Sequence, residues 1–185
     1  MVTTREVSVE DAKTVAGLVA ALLAELGPGE RGAGVDTRLV GDLLAMKERV
    51  CGFLAFDLEN PVGLIMLSEG AALLACGIYG IVTELYVVPD QRSSGVAMRL
   101  IDAAVDLGKE KGWRHLEVGV PRQPMWSRSP HSALYLKAGF AEIGPRLRLP
   151  LHSPSRAPVE AERPRLGRRR RRVHRGPTSS AAHFA

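Results

Sequence analysis

The 185-residue sequence predicts an α/β fold: a mixed central β-sheet flanked by helices on both faces. Three observations point to it. Apolar residues switch between alternating and helical spacing in the order β-α-α-β-β-β-α-β-α-β. The strands between residues 50 and 88 are separated by short connections, which makes them antiparallel neighbours. A strand, a helix and a strand then follow one another over residues 79–120, the pattern of a parallel crossover.

The elements run as follows. Thr4–Val9 alternates like a strand. Ser8 or Glu10 precedes a helix over Asp11–Leu26, with Val15, Leu18, Val19, Leu22, Leu23 and Leu26 at three- and four-residue spacing. Gly27-Pro28-Gly29 stops it, and the glycine-rich stretch 27–34 reads as a mobile loop. Asp36 or Thr37 caps a second helix to about Arg49, with Leu39, Val40, Leu43, Leu44 and Met46 on its apolar side. Val50–Leu58 and Val62–Ser68 form a hairpin, residues 69–77 a small-residue connection, and Tyr79–Val88 a third strand ended by Pro89-Asp90. Gly95–Lys111 is helical. Its predicted apolar face is Ala97, Ile101, Ala104, Val105 and Gly108, where Gly108 permits close packing on the sheet, and Gly112 is its stop. His115–Val120 reads as a strand, 121–130 as a loop and Ser129 or His131 as the start of a helix to Ala138. Phe140–Leu151 reads as a last extended stretch.

Charge divides the chain. Residues 1–150 hold 16 Lys+Arg against 18 Asp+Glu, a net of −2, whereas residues 151–185 hold 9 Arg against 2 Glu, a net of +7. The basic balance therefore belongs to the C-terminal segment, with Arg168–Arg172 in an unbroken run, and the mildly acidic remainder gives no reason to expect nucleic acid there. Pro, Ser and Arg dominate the segment and its large apolar residues are scattered, so disorder is the expectation. The chain is read as a domain over 1–151 and a tail over 152–185. Two cysteines, Cys51 and Cys76, are too few for a disulfide framework and lack metal-ligand spacing, so no metal is expected. With no apolar run approaching the roughly 20 residues of a membrane span and no leader pattern at Met1–Glu6, the expected location is the cytoplasm, with no membrane partner.

The informative segment is Leu85-Tyr86-Val87-Val88-Pro89-Asp90-Gln91-Arg92-Ser93-Ser94-Gly95-Val96-Ala97: a strand, a short turn and a helix start. Small residues at 93, 94, 95 and 97 leave backbone N–H groups uncovered at a helix N-terminus, where unpaired donors and a partial positive charge suit a diphosphate. A short polar turn with nothing bound has the same appearance. Neither nucleotide fingerprint, Gly-x-x-x-x-Gly-Lys-Ser/Thr or Gly-x-Gly-x-x-Gly, is present.

Arg92-x-x-Gly95-x-Ala97 resembles the acyl-CoA loop of the GNAT family of N-acetyltransferases, Arg/Gln-x-x-Gly-x-Gly/Ala. Tyr135-Leu136-Lys137-Ala138-Gly139-Phe140 is similar to that family's Tyr-x-x-x-Gly-Phe signature. The two motifs stand in the family's order with a strand between them, and the resemblance spans about residues 3–151. It implies acetyl-CoA as acyl donor. The CoA pyrophosphate would lie on the backbone of Arg92, Ser93, Ser94, Gly95, Val96 and Ala97. The pantetheine arm would lie along Leu85–Val88, chiefly Val87 and Val88, whose amides would also polarise the thioester carbonyl. The implied reaction is N-acetyl transfer by direct attack of a primary amine, with Tyr135 as general acid and Glu84 as base candidate. The acid role of Tyr135 is preferred to its alternative, an aromatic anchor on a helix packed against the sheet, whereas for Glu84 the alternative, an exposed strand residue pointing away from the site, stands level. Ser93-Ser94 departs from the more usual glycine or basic residues of the loop. Arg128 stands where many members carry an asparagine touching the cofactor.

The acceptor, a small-molecule or peptide amine, would lie against residues 26–38 and 121–130, where Trp126 could stack against it. Homodimers are common in the family, and no feature of the sequence specifies an interface. Two other readings stand beside this one. The first is a non-catalytic acyl-CoA-binding sensor. The second is salt-dependent polyanion binding through the arginine tail, for which neither base-stacking aromatics nor a base-reading fold is present.

Overall fold

The computed structural model describes residues 1–26, 34–120 and 130–144, within a compact unit spanning Met1–Arg146. The proposed tail, Trp126, Arg128 and nearly all of the glycine-rich loop lie outside the described residues, as does the segment after Gly144, and Phe140–Gly144 carries no strand.

Among the described residues, five strands pair in chain order: β1 (Val2–Glu6), β2 (Val50–Asp57), β3 (Asn60–Ala72), β4 (Gly77–Val87) and β5 (Leu116–Val118). The first four are antiparallel, and β5 joins β4 in parallel. Among the described residues the helices flanking the sheet are α1 (Ala12–Glu25), α2 (Thr37–Leu44), α3 (Val96–Glu110) and α4 (Pro130–Lys137). Alternation along the strands sends Leu54, Leu64, Met66 and Tyr86 into one core with α1 and α2. Ala55, Ile65, Leu67 and Val87 point the other way, into a core with α3 and Tyr135 of α4. The mixed sheet with helices on both faces is therefore the observed architecture.

Several boundaries move, each for a local reason. The first strand is Val2–Glu6 rather than Thr4–Val9, because Val9–Asp11 winds into a 3-10 turn capped by Ser8. The Ser8 amide and hydroxyl both donate to the Asp11 carboxylate, at 2.8 and 3.0 Å, and Arg5 forks onto it at 2.8 and 2.6 Å. That guanidinium, offset in part by burial, holds Asp11 down to about 2. Asp36 caps α2, its carboxylate accepting from the Arg38 amide at 2.9 Å. The helix stops at Leu44 instead of reaching Arg49, so of the expected apolar side only Val40 and Leu44 are buried, while Leu39, Leu43 and Met46 stay exposed.

Residues 69–77 are mostly sheet rather than a connection, with Glu69 opposite Gly80 and Ala72 opposite Gly77. Glycines permit this. A Cβ at Gly70 would press on the Tyr79 ring, and one at Gly80 would collide with Trp113 and Leu116. Trp113 fills the space between β4 and Gly108 of α3 and donates from Nε1 to Glu69 at 2.8 Å. Gly108 thus packs on Trp113 rather than on a strand. The buried face of α3 is Val96, Leu100, Ile101, Ala104 and Gly108, rotated from the predicted one.

Candidate functional site

The site begins with a strand that loses its neighbour. Pairing between β4 and β5 covers Gly80–Val82 against Leu116–Val118, and β4 then runs on to Val87 without β5. The register of β3 shifts at the same point, with Leu67 opposite Val82 and Met66 opposite Glu84, which leaves Thr83 as an extra residue. Such a bulge bends its strand and sharpens its twist, so the two parallel strands part here. The Val88 amide donates to Val62 O at 3.0 Å, and alternation then aims the main-chain groups of Tyr86 and Glu84 at β3 and those of Leu85 and Val87 at the opening. The pantetheine expectation narrows accordingly: the Val87 amide faces the opening, and the Val88 amide is already committed to the sheet.

Beyond the strand, Pro89–Gln91 makes a 3-10 turn and α3 starts at Val96. Between them Ser93 takes φ +64° and Gly95 φ +86°. Left-handed residues in a turn point successive amides into one concavity. The Ser94 hydroxyl braces the turn by donating to Gln91 O at 2.6 Å. Among the described residues no acceptor takes the amides of Ser93, Ser94, Gly95, Val96, Ala97 or Met98, and a Cβ at Gly95 would meet nothing within 4 Å. The Arg92 amide is different, being bonded to Pro89 O at 3.1 Å. Gly63 of β3 seats the whole arrangement. Its missing Cβ would lie 3.1 Å from both Val96 and Leu100, so the first turn of α3 rests directly on the sheet.

The Arg92 side chain turns back to the protein. Its Nε donates to Val87 O at 3.0 Å, and its terminal nitrogen reaches both Glu25 oxygens, at 2.6 and 2.7 Å. The Tyr86 hydroxyl donates to the same Glu25 carboxylate at 3.2 Å, and the guanidinium lies 5.7 Å from the centre of the Tyr86 ring. Burial, then the Glu25 charge, pushes the Tyr86 phenol upward. Arg92 therefore stands at the start of the loop by position, while its charge is shared with the end of α1.

Tyr135 is buried in the core beside α3. The motif around it is a helix stop. The Phe140 amide donates to Tyr135 O and the Gly139 amide to Leu136 O, both at 3.0 Å, with Gly139 at φ +92°. These are the two bonds of a Schellman cap. The Phe140 ring meets the Tyr135 ring edge-on at 5.4 Å, supplying the apolar contact that accompanies such caps. Burial pushes the Tyr135 phenol up to about 12, so it keeps its proton throughout the neutral range. Glu84 is half-buried and sits opposite Met66, on the α1–α2 face. The two candidates thus belong to opposite faces of the sheet, and the parting of β4 from β5 is the gap between those faces.

Two side chains of this arrangement have no role in the sequence reading: Glu25, which lies outside the motifs, and Tyr86, which stands in the strand before the loop. Glu25 does leave one trace, as an acid in the last turn of a helix, where the dipole disfavours it.

The model of the acetyltransferase (GNAT) family matches residues 20–140. The chain belongs to that family. No curated protein matches it. Solved structures share its fold at low identity. A ribosomal-protein-alanine N-acetyltransferase from Brucella melitensis biovar Abortus 2308 is 24% identical, with a TM-score of 0.64 over 81% of this chain and 99% of its own. A predicted acetyltransferase with acetyl-CoA from Clostridium acetobutylicum is 20% identical, with a TM-score of 0.67 over 82% and 97%. An aminoglycoside acetyltransferase from an uncultured soil metagenomic sample, in complex with sisomicin, is 14% identical, with a TM-score of 0.66 over 82% and 97%. Among the described residues there is no acidic, His or Cys cluster fit to hold a metal, and no helix long and apolar enough to cross a membrane.

Proposed function

We propose that this GNAT protein transfers the acetyl group of acetyl-CoA to a primary amine of a small molecule or a protein, by direct attack and without a covalent enzyme intermediate. The observation that carries the reading is the arc of amides at residues 93–98, none accepted by a described residue, at the mouth of α3 where β4 leaves β5. Those donors fit a diphosphate, with the positive end of a helix of fifteen residues behind them. The solved acetyl-CoA complex of the same fold supports the choice of donor.

Bound acetyl-CoA supplies an activated thioester, and the chain's residues do the rest. The Val87 amide points into the opening and donates toward the charge that gathers on the thioester oxygen. Attack requires a neutral amine: its nitrogen bonds to the carbonyl carbon and the carbon–sulfur bond breaks. The nitrogen's surplus proton leaves toward Glu84, directly or through water. The thiolate takes the Tyr135 proton, which a phenol at about 12 still holds at neutral pH. The amine acceptors named for solved relatives, a ribosomal protein's alanine and an aminoglycoside, mark the breadth of this chemistry. The acceptor side of the present site is the α1–α2 face, where Glu84 and Tyr86 lie.

Calorimetric titration with acetyl-CoA, beside the Gly95→Glu variant, tests the reading. Binding by the wild type and its loss in a variant that still folds is the expected result. The φ of +86° at Gly95 strains any side chain placed there, so the variant should melt somewhat lower, and Gly95→Ala, which carries the same strain without a charge, separates the backbone effect from a carboxylate set against the diphosphate. Absence of binding by the folded wild type would overturn the reading, and binding without acetyl transfer to any of a panel of amines would leave the non-catalytic sensor.

A further inference from the structure

The contact between Glu25 and Arg92 joins two parts of the site that the proposed chemistry treats separately. Arg92 is the first residue of the phosphate loop, next to Ser93 with its positive φ. Glu25 is the last residue of α1, the helix that packs on the sheet face carrying Glu84 and Tyr86. The pair spans 67 residues of sequence and is a two-pronged contact at 2.6 and 2.7 Å. Tyr86 adds a third bond, from the strand lying between them. Among the described residues, the Arg92 guanidinium and the Tyr86 hydroxyl are the groups that bond this carboxylate.

We propose that Glu25 is a positioning residue acting through Arg92: it ties the end of α1 to the cofactor loop, so that filling the loop orders the wall of the acceptor site. The inference rests on the proposed acetyl-CoA reading. A diphosphate on the amides of 93–98 fixes the turn at Ser93 and thereby the backbone from which Arg92 extends. A guanidinium anchored at Val87 O and held over the Tyr86 ring then presents both Glu25 oxygens with one stationary nitrogen, Nη2. The coupling is reciprocal, as linkage requires: whatever loop filling contributes to ordering α1, an ordered Glu25 returns to cofactor affinity. Both side chains are a little under half exposed, so the coupling is modest and weakens with salt.

The test is hydrogen exchange on the full chain, with and without saturating acetyl-CoA, for the wild type, Glu25→Gln and Tyr86→Phe. In the wild type the cofactor should slow exchange both at 93–98 and at 22–26. In Glu25→Gln the protection at 93–98 should remain and that at 22–26 should be lost, with acetyl-CoA affinity about two- to fivefold weaker, the size an exposed two-pronged pair can carry. Tyr86→Phe, which keeps the ion pair, should fall between. The unliganded variant should melt only slightly lower, as loss of an exposed pair predicts, and a merely structural contact would leave the cofactor-induced difference at 22–26 intact. Protection at 22–26 that is unchanged in Glu25→Gln, or absent from a wild type protected at 93–98, would overturn the proposal while leaving acetyl-CoA binding in place. No protection anywhere would instead sink the acetyl-CoA reading beneath it.

Discussion

At the scale of single residues, environment decides which groups can do chemistry. Tyr135 is buried in the core, and burial pushes its phenol up to about 12. In the proposed reaction it is therefore a proton donor rather than a base. Tyr135→Phe should lower kcat about 100-fold, within the usual span for a general acid, and leave acetyl-CoA affinity near its wild-type value, which steady-state kinetics beside calorimetry can check. The pH profile carries the same logic. Activity should climb as the acceptor amine loses its proton and should show no fall from Tyr135 below about pH 11. Asp11 works in the opposite sense. Its folded carboxyl is held near 2 against 3.8 in the unfolded chain, so the stability from its pairing is complete above about pH 4 and is lost as pH falls through 2. With Arg5 half exposed, Asp11→Asn should cost roughly 1–2 kcal/mol at neutral pH. It should also flatten the acid limb of stability between pH 4 and 2, measured by urea unfolding across that range.

At the scale of elements, the amides of the loop are held in place because α3 comes down onto the sheet at Gly63. A side chain there would meet Val96 and Leu100 at 3.1 Å and Tyr86 O at 3.2 Å, and a backbone oxygen does not move aside. Gly63→Val should destabilise the fold by about 1–3 kcal/mol as overpacking does. It should weaken acetyl-CoA binding more than its loss of stability accounts for, because the amides of Val96–Met98 would be displaced. Differential scanning calorimetry and titration of the same sample separate the two effects. This seat also shows how far the sequence could be read. The loop was legible because its chemistry is local: small residues between a strand and a helix expose amides whatever surrounds them. Tyr135-to-Phe140 was legible because a helix stop is written in consecutive residues. Gly63 was not, since its reason lies in a helix thirty-odd residues away, and neither was the Glu25–Arg92 contact. The longer β3–β4 ladder was hidden for a related reason. Residues 69–77 look like a loop by composition, yet their small size is what admits Tyr79 and Trp113 against the sheet. The shortened α2 shows periodicity outrunning burial: Leu39 and Leu43 keep the helical spacing while facing outward.

At the scale of the whole molecule, the site and the excess charge belong to different stretches of chain. Every residue assigned here a part in binding or chemistry lies between Glu25 and Tyr135, in a stretch that belongs to the compact unit Met1–Arg146 and to the nearly neutral part of the sequence. The +7 of residues 151–185 lies beyond it. If the two are independent, a chain ended after residue 152 should bind acetyl-CoA with unchanged affinity and melt within a few degrees of the full chain, while its retention on a polyanionic resin such as heparin should vanish. The full chain should be eluted from that resin by salt, because five consecutive arginines attract phosphate or sulfate by counterion release rather than by fitted contacts. The free thiols provide a check that the shortened chain has the same core. Cys51 is buried, its thiol pushed up to about 11, whereas Cys76 is exposed at the β3–β4 turn. Iodoacetamide at pH 8 should therefore label both chains once, at Cys76, and a second label would report that the sheet had opened. Equal labelling and equal acetyl-CoA affinity, with heparin retention lost, would assign the transferase chemistry to the sheet and its helices and leave the arginines a separate electrostatic role. A shortened chain that keeps single labelling but loses acetyl-CoA affinity would mean that residues beyond 152 contribute to the cofactor site, where the positive segment is matched to the phosphates of CoA.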